Sequence, residues 1–209
     1  MSIHELAVRF AAYLAQELGS DYRQEQRMAY GLEILLGEAI KMTVIIVLSW
    51  LLGILAEVLA VTVTAGILRL ASGGEHCSEY YRCLIGGTAW FLLLGWGVQS
   101  LNGLWSTEMI NLSAALLYLV SALIIIKYAP GETENKPIKS LEERYKYRFW
   151  SLVTVIIYAT IMLVLAIFAH PLLLAIGVGM LAQAYTVSPA GYSFIHFIDR
   201  VLNFSEVKT

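Results

Sequence analysis

The chain has 209 residues, of which 58% are hydrophobic and only 14% charged, with a mean hydropathy of +0.69. Soluble domains carry about 25% charged residues and disordered chains are poor in apolar ones, so both classes are excluded. The net charge of -2 excludes a nucleic-acid binder, and two cysteines cannot build a disulfide scaffold. What remains is an all-α polytopic membrane protein, residues 1–209 forming a single domain.

Residues 1–30 read as an interfacial segment. Ile3, Leu6, Ala7, Phe10, Leu14 and Leu18 recur at helical spacing opposite His4, Glu5, Arg9 and Gln16. That is an amphipathic helix lying on a leaflet, and it lacks the basic start and small-residue cleavage site of a signal peptide. A bilayer core about 30 Å thick requires roughly 20 apolar residues in a helix. Six stretches qualify as transmembrane helices: Gly31–Leu52, Gly53–Leu68, Leu84–Leu101, Met109–Ile126, Phe149–Ala169 and Pro171–Val187. The second is short. The last opens on proline, which suits a first helical turn.

Charge fixes the expected orientation. Apart from Lys41 in the first span, every Lys and Arg falls in the N-terminal segment, the connections after spans 2 and 4, or the C-terminal tail. The other connections have none, so the positive-inside rule places both termini in the cytoplasm of a cell-membrane protein. The connection 127–148 reads as a polar cytoplasmic loop containing APGETENKPIKS. Tyr192–Phe204 reads as a second amphipathic stretch, with His196, Asp199, Arg200 and Asn203 on one face.

Reactive side chains concentrate in residues 69–83, RLASGGEHCSEYYRC. A thiol becomes a nucleophile when a base or cation favours the thiolate, and histidine is the usual base. His76 and Cys83 could form such a dyad. On one straight helix they would be about 10.5 Å apart along the axis, too far for a hydrogen bond. Either the segment bends between them, or His76 sits in a loop that folds back on the helix bearing Cys83, a freedom that Gly73 and Gly74 give the backbone, or the contact crosses a dimer. Buried thiols in a polar loop are the plain alternative. Zinc held by His76, Cys77 and Cys83 is another, although the spacing fits no standard zinc motif.

The segment resembles the accessory gene regulator B family, the AgrB-like membrane cysteine endopeptidases of Gram-positive quorum sensing. The family's Arg, Gly, His and Cys fall on Arg69, Gly74, His76 and Cys83, and the loop Lys127–Ser140 has its AP start and its N-K-P-I run at Asn135–Ile138. The resemblance implies cleavage of the C-terminal part of an AgrD-like precursor peptide through a Cys83 thioester, then cyclisation to a thiolactone or lactone. It makes Cys83 the nucleophile and His76 the general acid–base, with Arg69 and Gly74 in support. No cofactor or metal is implied. It also implies a homodimer, for which Gly86, Gly87, Gly95 and Gly97 could allow close packing.

Charged groups within a span face the bundle interior or a partner. Glu38 and Lys41, three apart, can pair. With Glu33 they either order the first spans or line a polar cavity admitting the peptide. Lys136, Lys139, Arg144 and Lys146 either set topology and touch anionic lipid or receive an acidic substrate tail. His170 lies in a turn on the side opposite Cys83, and His196 reads as interfacial. A peptide transporter or scaffold without protease activity, and a zinc-dependent membrane protease, remain the rival classes.

Overall fold

The computed structural model describes residues 3–75, 80–132, 138 and 140–202. These form eight helices and no strand: α1 (Ile3–Leu18), α2 (Tyr22–Leu51), α3 (Leu55–Ser72), α4 (Tyr80–Leu104), α5 (Thr107–Tyr128), α6 (Leu141–Ile167), α7 (Leu173–Thr186) and α8 (Pro189–Val201). Five of them, α2 to α6, are long and apolar enough to cross a membrane. A sixth crossing is reached if α7 and α8, bent by 81°, count as one span. The protein is an all-α, multi-pass membrane protein.

The chain divides into two compact units, residues 1–47 and 48–209. In the first, Ala7, Ala11 and Ala15 make a buried stripe on α1, while Phe10, Tyr13 and Leu18 stay exposed. An exposed apolar edge is what an interfacial helix offers to lipid. The chain turns at Gly19 (φ +60°). Asp21 and Gln24 then cap α2 reciprocally, the Gln24 amide donating to Asp21 Oδ1 at 2.7 Å and the Asp21 amide to Gln24 Oε1 at 3.1 Å. That exchange satisfies two end donors of the helix. It starts α2 well before Gly31, where hydropathy opens the span, so residues 22–30 belong to the long helix.

In the second unit, α7 is the interior element. Nine of its 14 residues are buried, and it packs on α3, α5 and α6. At 1.5 Å per residue it is about 21 Å long, short of a bilayer core. The last hydrophobic stretch is the most enclosed helix of this unit, and it counts as a crossing together with α8. Glycine permits the approach: a Cβ on Gly179 would lie 2.6 Å from the Val61 carbonyl oxygen, and one on Gly177 3.2 Å from Leu117. Lipid is met by the surrounding helices instead. Leu112, Leu116, Leu119 and Leu123 form an exposed stripe along α5.

The connections sort to two ends. At one, Gln99 Nε2 donates to the Gly53 carbonyl (3.0 Å) and Asn102 Nδ2 donates to that of Pro171 (2.8 Å). At the other lie the end of α3, the starts of α4 and α6, the ends of α5 and α7, and α8. Ser140 caps α6 by accepting from the Glu143 amide at 3.1 Å. Helix thus begins at Leu141, so Arg144, Lys146 and Arg148 ride on α6 and Lys127 ends α5; the interhelical connection is shorter than 127–148.

Candidate active site

Arg69 lies in the last turn of α3. The helix stops because Gly73 and Gly74 take φ of +66° and +127°, conformations that L side chains rarely adopt. This is the bend anticipated at the Gly-Gly pair. The strap formed by Gly73, Gly74 and Glu75 is held from inside the bundle. Arg69 Nη2 donates to the carbonyls of Gly74 (3.2 Å) and Glu75, and Nη1 to Thr186 Oγ1 (3.2 Å) and Gln183 Oε1 (3.4 Å). Gln183, only 2% exposed, donates through Nε2 to Ser72 Oγ at 2.9 Å and to the Gly73 carbonyl at 2.7 Å. A buried polar group needs such partners, since an unmade bond leaves it desolvated for nothing. Arg69 therefore anchors the strap by its main chain.

The connection after α5 is bonded to the same strap. The Gly131 amide donates to the Ser72 carbonyl at 2.8 Å, and Gly131 bridges Gly73. Contact is backbone to backbone: a Cβ on Gly73 would sit 2.3 Å from Gly131 O, and one on Gly74 2.7 Å from Thr186 Oγ1. From α8, the Tyr192 hydroxyl donates to the Glu132 carbonyl at 2.6 Å. Burial raises the Tyr192 phenol above its ordinary pKa, and the Glu75 carboxylate adds to the rise while Arg69 opposes it. The phenol thus keeps its proton and remains a donor. Glu132 also pairs with Arg144, tying the connection to α6.

Cys83 sits half-buried in the first turn of α4. A helix N-terminus favours the thiolate, because the amides there lack partners and carry partial positive charge. His76 and Cys77 lie outside the described residues, as do Lys136 and Lys139. Among the described residues no group of three His, Cys, Asp or Glu converges as a metal site would require.

The remaining candidates are placed elsewhere. Glu33, Glu38 and Lys41 belong to the first unit. Glu38 and Lys41 pair at 2.6 Å, as their spacing predicts, and Glu33 meets His4 Nδ1 at 2.9 Å. Arg144 and Lys146 are exposed on α6. Two of the span-3 glycines serve packing within the chain. A Cβ on Gly95 would lie 2.3 Å from Val58 Cγ2, and one on Gly86 3.2 Å from Ile198 Cγ2. Sequence reasoning missed Gln183, Thr186 and Tyr192. Gln183 had a signal: it is the one amide in an apolar stretch, and polar groups within spans are expensive and purposeful.

Fold and site together define an all-α membrane protein with an Arg-organised polar cluster and a helix-borne cysteine at one bundle end. The accessory gene regulator B family matches residues 7–187, and the chain belongs to that family. It is 26% identical over 210 residues to an AgrB-like protein 2 of Clostridium perfringens, covering 96% of this chain and 98% of that one. It is 28% identical over 186 residues to accessory gene regulator protein B of Staphylococcus aureus, covering 88% and 94% respectively. No solved structure matches.

Proposed function

We propose that this protein is a membrane cysteine endopeptidase that cuts a quorum-sensing precursor peptide and cyclises its amino-terminal product. Membership of the accessory gene regulator B family supports an AgrD-like precursor as substrate. The observation that carries the chemistry is the placement of Cys83 in the first turn of α4, half-buried, at the end of the bundle where Arg69 organises the strap. Arg69, Arg82, Lys127, Arg144, Lys146 and Arg148 lie on helix ends next to the connections after α3 and α5, whereas the connections after α2, α4 and α6 carry no Lys or Arg. The positive-inside rule then puts the site and both termini in the cytoplasm of a cell-membrane protein.

In this reading the Cys83 thiolate attacks the scissile carbonyl. The C–S bond forms, the C–N bond breaks, and His76 protonates the departing amine. A Cys thiol or Ser hydroxyl of the retained peptide then attacks the thioester, closes the ring and releases Cys83. No water enters, so the site must exclude it during the thioester's lifetime. Arg69, Gly74 and Gln183 keep the strap in register, and the exposed cations Arg144 and Lys146, with Lys136 and Lys139, receive an acidic substrate tail.

The test follows precursor mass in membranes holding wild type, Cys83→Ala, His76→Ala or Cys77→Ala. Cys83→Ala and His76→Ala should abolish processing, Cys77→Ala should retain it, and the product should be one water lighter than the linear fragment. Processing that survives Cys83→Ala refutes the mechanism.

A further inference from the structure

α8 begins beyond residue 187, where the family match ends. Ser188 caps it by accepting from the Gly191 amide (3.2 Å), with Pro189 in its first turn. Gly191 lets it leave α7 sharply, since a Cβ there would lie 1.9 Å from the Tyr185 carbonyl oxygen. The helix then runs across the bundle end that carries the site. Its start reaches the α5–α6 connection through Tyr192 and Glu132. Its middle places Phe194 against Trp90 of α4 (5.5 Å) and Tyr185 of α7 (5.9 Å).

Its far end meets the two residues that precede Cys83. Asp199 Oδ1 lies 3.6 Å from Arg82 Nη1, the side chains 15% and 11% exposed. Arg82 Nε donates to the Tyr81 hydroxyl at 3.0 Å, and Tyr81 donates to the Leu202 carbonyl at 3.2 Å. Ile198 fills the space that Gly86 leaves open one turn further along α4. On sequence, Asp199 shares a polar face with His196 and Arg200; in the fold it is turned toward α4.

We propose that α8 is part of the catalytic apparatus, and that Asp199, acting through Arg82, is a positioning residue for Cys83. The inference rests on the reading of Cys83 as nucleophile. The physical need is specific. The first turn of a helix lacks half its hydrogen bonds and frays unless something holds it. A register shift of one residue turns a side chain by about 100° around the axis, which would carry the thiol away from any base. A largely shielded Arg–carboxylate pair on the residue that precedes Cys83 resists that rotation, and losing one partner leaves the other charge with fewer partners.

The experiment uses the full chain in lipid bilayers, on a Cys77→Ser background, and follows N-ethylmaleimide labelling of Cys83. A second protein, carrying Cys83→Ser and Ser100→Cys, reports on a half-buried position at the other end of α4. Asp199→Asn should label Cys83 about tenfold faster, because loss of the pair shifts the local opening of the first turn by ~1.4 kcal/mol, and leave the Ser100→Cys reporter unchanged. Asp199→Glu should restore slow labelling. A change of less than about twofold at Cys83, or equal acceleration of the reporter, overturns the inference; the latter outcome would mean that Asp199 only stabilises the fold. The peptidase reading fails separately, if Cys83→Ala still processes the precursor.

Discussion

Gln183→Leu tests whether the interior of the bundle holds the strap. The substitution keeps the apolar volume and removes three bonds, to Ser72 Oγ, to the Gly73 carbonyl and from Arg69. Side-chain bonds between membrane helices average ~0.6 kcal/mol each, so three give ~2 kcal/mol. The desolvation of stranded groups, ~1–3 kcal/mol apiece, pushes the figure up. Arg69 keeps its existing bond to Thr186 Oγ1 and the Ser72 hydroxyl its bond to the Gly73 carbonyl, so neither group is left wholly unpartnered, which pulls it back. The net of ~2 kcal/mol is roughly a 30-fold shift in a local opening equilibrium. Hydrogen–deuterium exchange reads it at the Gly131 amide, whose acceptor is the Ser72 carbonyl. Exchange there should quicken roughly 30-fold, while amides in the middle of α5 keep wild-type rates. Gln183→Glu keeps an acceptor for Arg69 and loses both donated bonds, so it should also expose Gly131. Unchanged Gly131 exchange in Gln183→Leu would refute the reasoning.

Other expectations follow from the same geometry. Gly73→Ala combines a positive-φ, extended-ψ conformation that is essentially glycine-only and costs other residues ~1–3 kcal/mol with a Cβ 2.3 Å from Gly131 O; peptide processing should be lost, and limited proteolysis should cut more readily near residue 132. Gly179→Val drives a side chain against the Val61 carbonyl and Thr64, so the melting temperature in detergent should fall by an amount matching about 1–3 kcal/mol of overpacking. Arg144→Ala breaks an exposed pair with Glu132, the side chains 49% and 36% exposed. Such pairs contribute about 0–1 kcal/mol, so melting should barely move; reduced capture of an acidic-tailed precursor, measured by co-purification, would assign the residue to substrate recognition.

Most of the helical plan was legible in the sequence, because a bilayer imposes it residue by residue. Spans follow from unbroken apolar length, and the freedom of the Gly73-Gly74 pair can be read locally because it depends on near neighbours in the chain. Arg69 and Cys83 stood out for the same reason, as reactive types crowded into a short segment. The limits of helices were less visible. Residues 22–30 and 141–148 are polar and look like loops to hydropathy, yet they are helical, because a capped helix continues past the membrane face once it has started.

Hydropathy also cannot tell lipid from protein, since both are apolar surroundings. A leucine facing either one scores alike, so the 14-residue α7 reads as one more span, and only packing makes it the core. Gln183 and Asp199 lie 114 and more residues from Arg69 and Arg82 in their respective pairings only because the helices return to one bundle end; the chain order of residues 69–83 contains neither. The sequence by itself determined which segments enter the membrane and which residue types can react. Tertiary structure decided which side chains hold them, because partners for buried polar groups are chosen by proximity in space.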